Sequence, residues 1–467
     1  MKTTVDVKRT LTMFAVLGAV SLLAPTISAK EGGSFVPDQL TCAFVDSAYV
    51  DSVNATYGTS VLRYLPQTGS FLLQTQPGQD VALLSTQIGA LPKVVYCTPN
   101  YYTDAPEPVQ GSQPCIDAAP SIEKYTGQTA GTQIGITQSQ VISTGAGVRV
   151  GVIDVGVSLS HPALGGQTVS GVDYVDGGPA TDPAGGSASG HGTFVAGVIH
   201  LVAPAAEIVS YRVMDTAGRG VGFTVAEAIL QAVDDGCKVI NLSMVMTGKQ
   251  GTSDFAIEYA KKNNVLVVAA AGNDSTSAER FPSDDSYTLG VAALDSQLHK
   301  ADFSNFNGKV DLCAPGTNIY APFLDSSYAH WQGTSFAAPF IAGEAALILS
   351  RRPNIQWSEL VHAMTSNSAI NVDSLNPTFV GQLGDGLANP VGAMSSLGII
   401  CGDIDQNAQG PDISDLTALI DHLYISLSPL PDPGLSNVDG FPGIDISDLT
   451  RLIDYLYISM SPLECRF

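Results

Sequence analysis

The chain has 467 residues, of which 45% are hydrophobic and 14% charged, a length that exceeds one ordinary core and suggests two to four domains. A formal charge of −23 argues against a nucleic-acid or anionic-membrane partner, which would call for a basic patch. With 47 Gly and 27 Pro the chain is rich in turns, yet its hydrophobic content is that of a globular protein.

Lys2, Lys8 and Arg9 precede the apolar stretch LTMFAVLGAVSLLA, and small residues follow in TISAK. This order is that of a secretory signal peptide over residues 1–29, cut after Ala29. Its apolar part is too short for the roughly 20 residues that span a bilayer. The mature protein is therefore expected outside the cell or attached to its surface, with no transmembrane anchor. An oxidising compartment permits disulfides. Cys42 and Cys97 bracket the first module, while Cys401 and Cys465 bracket the last. Each pair would stabilise its module by about 3–4 kcal/mol, although spacing alone does not settle the connectivity. Cys237 and Cys313 lie in apolar runs and read as buried thiols, and Cys115 has no evident partner.

Residues 30–103 alternate short β-like runs (SVLRYL, SFLLQT, KVVYC) with a helical stretch, DVALLSTQIGAL, which predicts a small α+β module. Residues 104–125 are rich in Pro, Gly, Gln and Asp, show no periodicity and read as a linker. Over 126–397, the continuous apolar runs GVRVGVIDV, AEIVSYRVM, CKVINLSM and NVLVVAAAG alternate with the helical patterns TVAEAILQAVDDG and DFAIEYAKKN. Strands buried on both faces and separated by helices predict an α/β fold with a doubly wound parallel sheet. Ligands bind such sheets beyond the carboxyl ends of the strands. Residues 401–467 hold a repeat: DISDLTALIDHLYISLSPL starts at Asp412 and DISDLTRLIDYLYISMSPL at Asp445. In each copy, carboxylates precede a short amphipathic helix, giving a small helical C-terminal module.

The large module contains the parts needed to activate a serine: a base, a group that orients the base, and donors for an oxyanion. Asp154 ends the strand VRVGVID, His191 stands in SGHGTFVAGVI, Asn273 ends VLVVAAAGN, and Ser335 opens the helix SFAAPFIAGEAALILS. Taken singly these residues read as a cap, a turn histidine, a loop amide and a small packing residue; together they read as chemistry.

The motifs VGVIDVGV, GHGTFVAG, AAAGND and GTSFAAP, in that order, resemble the subtilisin-like serine proteases over residues 126–397. The resemblance implies Ser335 as nucleophile, His191 as general base and then acid, and Asp154 as its orienter. Asn273 would form the oxyanion hole with the Ser335 amide. It also implies a secreted endopeptidase that cleaves proteins through an acyl-enzyme with no cofactor for catalysis. Substrate would lie along Ser243, Met244 and Val245 on one side and Ala270, Ala271 and Gly272 on the other. VNATYGTSVLRYLP and VVYCTPNYYTD resemble the family's inhibitory propeptides, so self-cleavage is expected between Asn100 and about Lys124.

The sequence departs from the family in three places. Phe194 stands where a second histidine is usual, and the segment between HGTFVAGVI and VAPAA lacks the loop that holds a tight calcium ion in many relatives. In NLSMVMTG, Val245 and Met246 occupy positions usually held by glycines against which substrate pairs. These side chains are expected to narrow the groove and favour small residues. They also keep open an alternative, a subtilase-like scaffold that binds extracellular partners without cutting.

GDIDQNAQGPDISDLT and SNVDGFPGIDISDLT resemble the duplicated calcium loops of dockerin modules. The implied ligands are Asp403, Asp405, Asn407, Asp412 and Asp415 in the first copy, and Asn437, Asp439, Asp445 and Asp448 in the second. The first copy carries one extra residue, and Phe441 replaces an oxygen donor in the second. The other reading is that the carboxylates only cap helices. A dockerin resemblance implies a cohesin-like or cell-surface partner.

Overall fold

The computed structural model describes residues 34–465 apart from 110, 247, 249, 250, 408, 409, 462 and 464. The expected signal peptide lies outside the described residues. Backbone contacts divide the chain into two units, residues 1–102 with 250–252, and residues 103–249 with 253–467.

In the first unit the apolar runs form an antiparallel sheet. β1 (Phe35–Phe44) lies between β4 (Val94–Asp104, whose last two residues fall in the second unit) and β3 (Ser70–Gln74), with β2 (Ser60–Leu65) beyond β3. Two helices, α1 (Tyr49–Tyr57) and α2 (Val81–Gly89), complete the α+β arrangement. Asp80 caps α2 by accepting the Leu83 amide at 3.0 Å. Leu40, Val53, Leu73 and Ile88 fill the core. Cys42 faces Cys97 across the β1–β4 register and is bonded to it.

The second unit is built on seven parallel strands: β5 (Arg149–Asp154), β6 (Thr168–Asp173), β7 (Glu207–Arg212), β8 (Val239–Leu242), β9 (Leu266–Ala270), β10 (Thr288–Leu294) and β11 (Leu312–Pro315). Their spatial order is β11-β10-β9-β8-β5-β7-β6. Strands β8, β9 and β10 are buried along their whole lengths, which is why β8 and β9 read as largely apolar runs rather than as alternation. The helices include α3 (His191–Val202), α4 (Gly222–Asp234) and α5 (Thr334–Arg351). Every residue of α5 from Thr334 to Leu349 is buried, so it forms the core of the unit rather than an amphipathic cover.

The stretch read as an aperiodic linker is partly regular. Pro106–Val109 is a helical turn, Cys115–Ile116 pairs antiparallel with the strand Tyr328–Trp331, and Ile122–Thr126 is a helix that buries Tyr125. A two-residue strand and a five-residue helix are too short to leave a periodic signature.

The C-terminal repeats fold as expected for short helices. α6 (Ile413–Ile420) and α7 (Ile446–Tyr457) each begin with a capping box, Asp412 with Asp415 and Asp445 with Asp448. Leu419 and Leu452 are buried with Ile404 and Val438, and a disulfide joins Cys401 to Cys465. Cys237 and Cys313 are free and buried, and Cys115 is free and exposed. Among the described residues no helix is long and apolar enough to cross a membrane.

Candidate active site

Parallel strands bring their carboxyl ends to one edge of the sheet, and four sequence-expected residues converge there. Asp154 is the last residue of β5. His191 is the first residue of α3, preceded by Gly190 at φ 87°, where a Cβ would also strike the Phe323 ring. Asn273 follows β9, and Ser335 lies in the first turn of α5. Asp154, His191 and Ser335 are fully buried.

The imidazole is held from one side by Asp154: His191 Nδ1 lies 2.8 Å from Oδ1 and 3.0 Å from Oδ2. Asp154 Oδ1 also accepts the Val155 amide at 2.7 Å, which fixes the carboxylate. The start of α3 is tied down by Asp182, which accepts the amides of Gly190 and Thr193 and the Thr193 hydroxyl. Burial pushes the Asp182 carboxyl up to about 7, against the lowering effect of those three bonds. Phe194 packs its ring 4.5 Å from Phe336 and 5.9 Å from Trp331, and both of these rings also flank His191. Phe194 thus completes an aromatic wall behind the imidazole.

Asn273 is oriented through its carbonyl oxygen, which accepts the Thr334 amide at 2.9 Å and the Thr334 hydroxyl at 2.8 Å. Its amide group therefore points away from the helix. Ser243 Oγ donates to the Ser335 carbonyl at 2.7 Å, and Ser335 Oγ lies 3.3 Å from the Ser243 carbonyl. Ser243 thus anchors the start of α5, a tie the sequence did not indicate. Asn305, also not anticipated, braces the loop after β9 by bonding the Ala271 and Gly272 carbonyls and the Asp274 amide.

The group at the centre of this array is Glu107, which is fully buried. Its Oε2 accepts the Ser335 hydroxyl at 2.7 Å and lies 3.1 Å from His191 Nε2. Its Oε1 accepts Asn273 Nδ2 at 2.8 Å and the Ser335 amide at 3.4 Å. Burial disfavours the imidazolium more than any other single influence, but the charge and hydrogen bond of Asp154, joined by those of Glu107, outweigh it. Together they hold the His191 pKa up at about 10. Sequence reasoning passed over Glu107. The available signal was an acid between two prolines, in APEPV, directly after a β-like run.

The expected substrate residues flank the same site. Met244 is buried, as are Ala270 and Ala271. Val245 and Met246 form a short strand that pairs antiparallel with Asp104 and Thr103, and the Val245 carbonyl accepts the Thr103 hydroxyl at 3.0 Å. The Ala105 amide donates to the Gly218 carbonyl at 2.8 Å. An extended segment is thus paired on both sides despite the side chains at the expected glycine positions. Val245 Cγ1 reaches to 3.4 Å from where a Cβ on Gly272 would stand, placing an apolar methyl against that wall.

In the C-terminal repeats the structure brings Asp403, Asp405 and Asp415 together, with ligand oxygens within 4.8 Å of one another. Asn407 joins them by bonding Asp403 and Asp405. Asp412 and Asp445 are turned to the amides of Ser414 and Ser447 as N-caps. Among the described residues the second copy forms no equivalent group of three carboxylates. There Asp448 accepts the amides of Val438, Asp439 and Asp445.

Comparison with known proteins agrees with this geometry. The profile of the Subtilase family matches residues 145–393, and that of the Fervidolysin N-terminal prodomain matches residues 23–100. The chain is 37% identical to thermitase of Thermoactinomyces vulgaris over 229 residues, 47% of this chain and 81% of that protein. It is 35% identical to subtilisin BL of Lederbergia lenta over 256 residues, 53% of this chain and 90% of that one. Among solved structures, fervidolysin of Fervidobacterium pennivorans, described as a keratinolytic enzyme related to subtilisin, superposes with a TM-score of 0.64 at 26% identity. That match covers 78% of this chain and 61% of fervidolysin. These relatives do not favour a scaffold that only binds. The chain belongs to the subtilase family and is a serine endopeptidase made as a precursor with an N-terminal prodomain.

Proposed function

We propose that Ser335 is the nucleophile, His191 the general base and then acid, Asp154 the group that orients it, and Asn273 with the Ser335 amide the oxyanion hole. The observation that carries this reading is convergence: the Asn273 amide group and the Ser335 amide bond one oxygen, Glu107 Oε1, beside the Ser335 hydroxyl and His191 Nε2. With a peptide carbonyl in place of that carboxylate, Ser335 Oγ attacks the carbonyl carbon as its proton passes to His191 Nε2. The oxyanion is held by the two donors, and His191 then delivers the proton to the departing amine. Water repeats the sequence on the acyl-enzyme. The wild-type chain should release its prodomain and hydrolyse a peptide substrate, and Ser335→Ala should stay unprocessed with turnover lower by on the order of 10⁶-fold, the figure for subtilisin. A wild type as unprocessed as the variant defeats the reading.

The same reading assigns residues 30–103 as inhibitory propeptide, 104–125 as the segment containing the maturation site, and 126–397 as peptidase domain. Residues 1–29 direct secretion. The substrate strands are Ser243–Met244–Val245 and Ala270–Ala271–Gly272, and the Val245 methyl against Gly272 favours small residues in the first pocket.

For residues 401–467 the proposal is a dockerin-like module that holds calcium and docks on a cohesin-like or cell-surface partner. The donor set fits a hard cation: three carboxylates in the first copy, and a buried Asn437 Oδ1 with no hydrogen-bond partner in the second. Limited trypsin digestion of the full-length Ser335→Ala chain tests this at Arg451 in α7. Calcium should slow that cleavage relative to chelator, and equal rates would remove the metal.

A further inference from the structure

The position of Glu107 has a consequence for how the precursor is kept silent. The chain enters the site extended, with Thr103 and Asp104 paired to Met246 and Val245 and the Ala105 amide bonded to Gly218. It then leaves the extended conformation at Pro106 and turns through the helical residues Pro106–Val109. What faces the nucleophile is therefore a side-chain carboxylate and not a peptide carbonyl. A carboxylate is a poor electrophile and carries no amine to expel, so the contact cannot proceed to an acyl-enzyme.

All four donors of the site are consumed by this one group. Oε2 takes the hydroxyl of Ser335 and faces His191 Nε2, while Oε1 takes Asn273 Nδ2 and the Ser335 amide. The two oxygens thus occupy the places of the attacking proton and of the oxyanion. The fit is close: a Cβ on Gly333 would stand 1.9 Å from Oε1, so the residue before α5 must lack a side chain for the carboxylate to enter. Glu107 is fully buried, and the His191 imidazole lies between it and Asp154.

We propose that Glu107 is the inhibitory residue of the precursor, its side-chain carboxylate acting as an uncleavable plug in the oxyanion hole that must withdraw before any bond is cut. This rests on the assignment of Ser335, His191 and Asn273 given above. It deepens that assignment by separating two duties within one segment: residues 103–105 dock as substrate does, and residue 107 blocks.

The test uses the full-length chain and a fluorophosphonate probe that labels an activated serine, sampled before processing is complete so that precursor and mature bands are both present. The wild-type mature band should label while the wild-type precursor band stays at least tenfold slower. The precursor bands of Glu107→Ala and of the isosteric Glu107→Gln should label at least tenfold faster than the wild-type precursor. Precursor labelling as fast as mature enzyme in the wild type, or variants as slow as wild type, overturns the plug. A wild-type mature band that fails to label instead overturns the assignment of Ser335. To remove dependence on the folding of the variants, peptides spanning residues 101–109 with Glu or Gln at position 107 are compared as inhibitors of wild-type mature enzyme. The Glu peptide should inhibit at least tenfold more strongly, and equal inhibition counts against the plug.

Discussion

Two kinds of helix start in this chain hold a carboxylate, and they differ in where it comes from. At α6 and α7 the acid is local: Asp412 and Asp445 accept amides two residues on, and Asp415 and Asp448 reach back to the caps. At α5 the residue before the helix, Gly333, offers no side-chain cap, and the carboxylate arrives from Glu107, 228 residues away in sequence. A local cap satisfies its own helix permanently. An uncapped start leaves its amide available to the remote carboxylate and, in the proposed mechanism, to a developing oxyanion. The helix that carries Ser335 is thus one whose own N-cap residue supplies no side-chain acceptor.

The comparison is broken most severely by disturbing the group that makes the open end useful. Asp154→Asn keeps the size of the side chain but can donate to His191 Nδ1, which favours the wrong tautomer. Turnover of a peptide substrate should fall by about 10⁴-fold with the fold intact by circular dichroism. A loss below tenfold would mean that Asp154 only packs beneath the imidazole. Next, Asn273→Ala removes one of the two donors that now hold Glu107 Oε1. It should lower kcat by about 10²–10³-fold, the range for the matching donor in subtilisin, with a smaller effect on KM. If KM rises while kcat is kept, the amide binds substrate and not the transition state.

The same contrast explains what could be read from the amino acids. β8 and β9 were legible because burial on both faces imposes largely apolar runs, and the repeated acids before α6 and α7 were legible because capping is local. Asp154, His191, Asn273 and Ser335 were found as motifs, each set by the strand end or helix start beside it. Glu107 was not, since its role depends on the second unit's fold placing a remote segment against α5. The strand Cys115–Ile116 was missed for a related reason: its partner, Tyr328–Trp331, lies some two hundred residues on, and two residues show no alternation.

A third carboxylate sharpens the point because it belongs to α5 but serves neither end. Glu344 is fully buried, and neither of its oxygens has a hydrogen-bond partner. Burial pushes its pKa up to about 8 from 4.5. A group whose folded pKa is raised favours the folded state fully below about pH 4.5, and that contribution is lost as pH rises through 8. In the Ser335→Ala background, Glu344→Gln should therefore gain on its parent by about 2–3 kcal/mol between pH 5 and 7, measured from urea midpoints. A pH-independent difference would show that Glu344 is already ionised and paired in the folded protein.

The smallest effect is expected where the carboxylate is local. Asp445→Ala removes the acceptor of the Ser447 amide and one half of the capping box of α7, a loss of about 1 kcal/mol. Hydrogen exchange should report it as roughly fivefold faster opening of the first turn of α7, because 1 kcal/mol is close to a factor of five. Peptide hydrolysis should not change, since the cap acts on the helix that carries it and on no group near Ser335. A fall in hydrolysis with Asp445→Ala would mean that the repeats bear on the active site. Local and remote carboxylates would then not be separate devices, and the open start of α5 would need a different explanation.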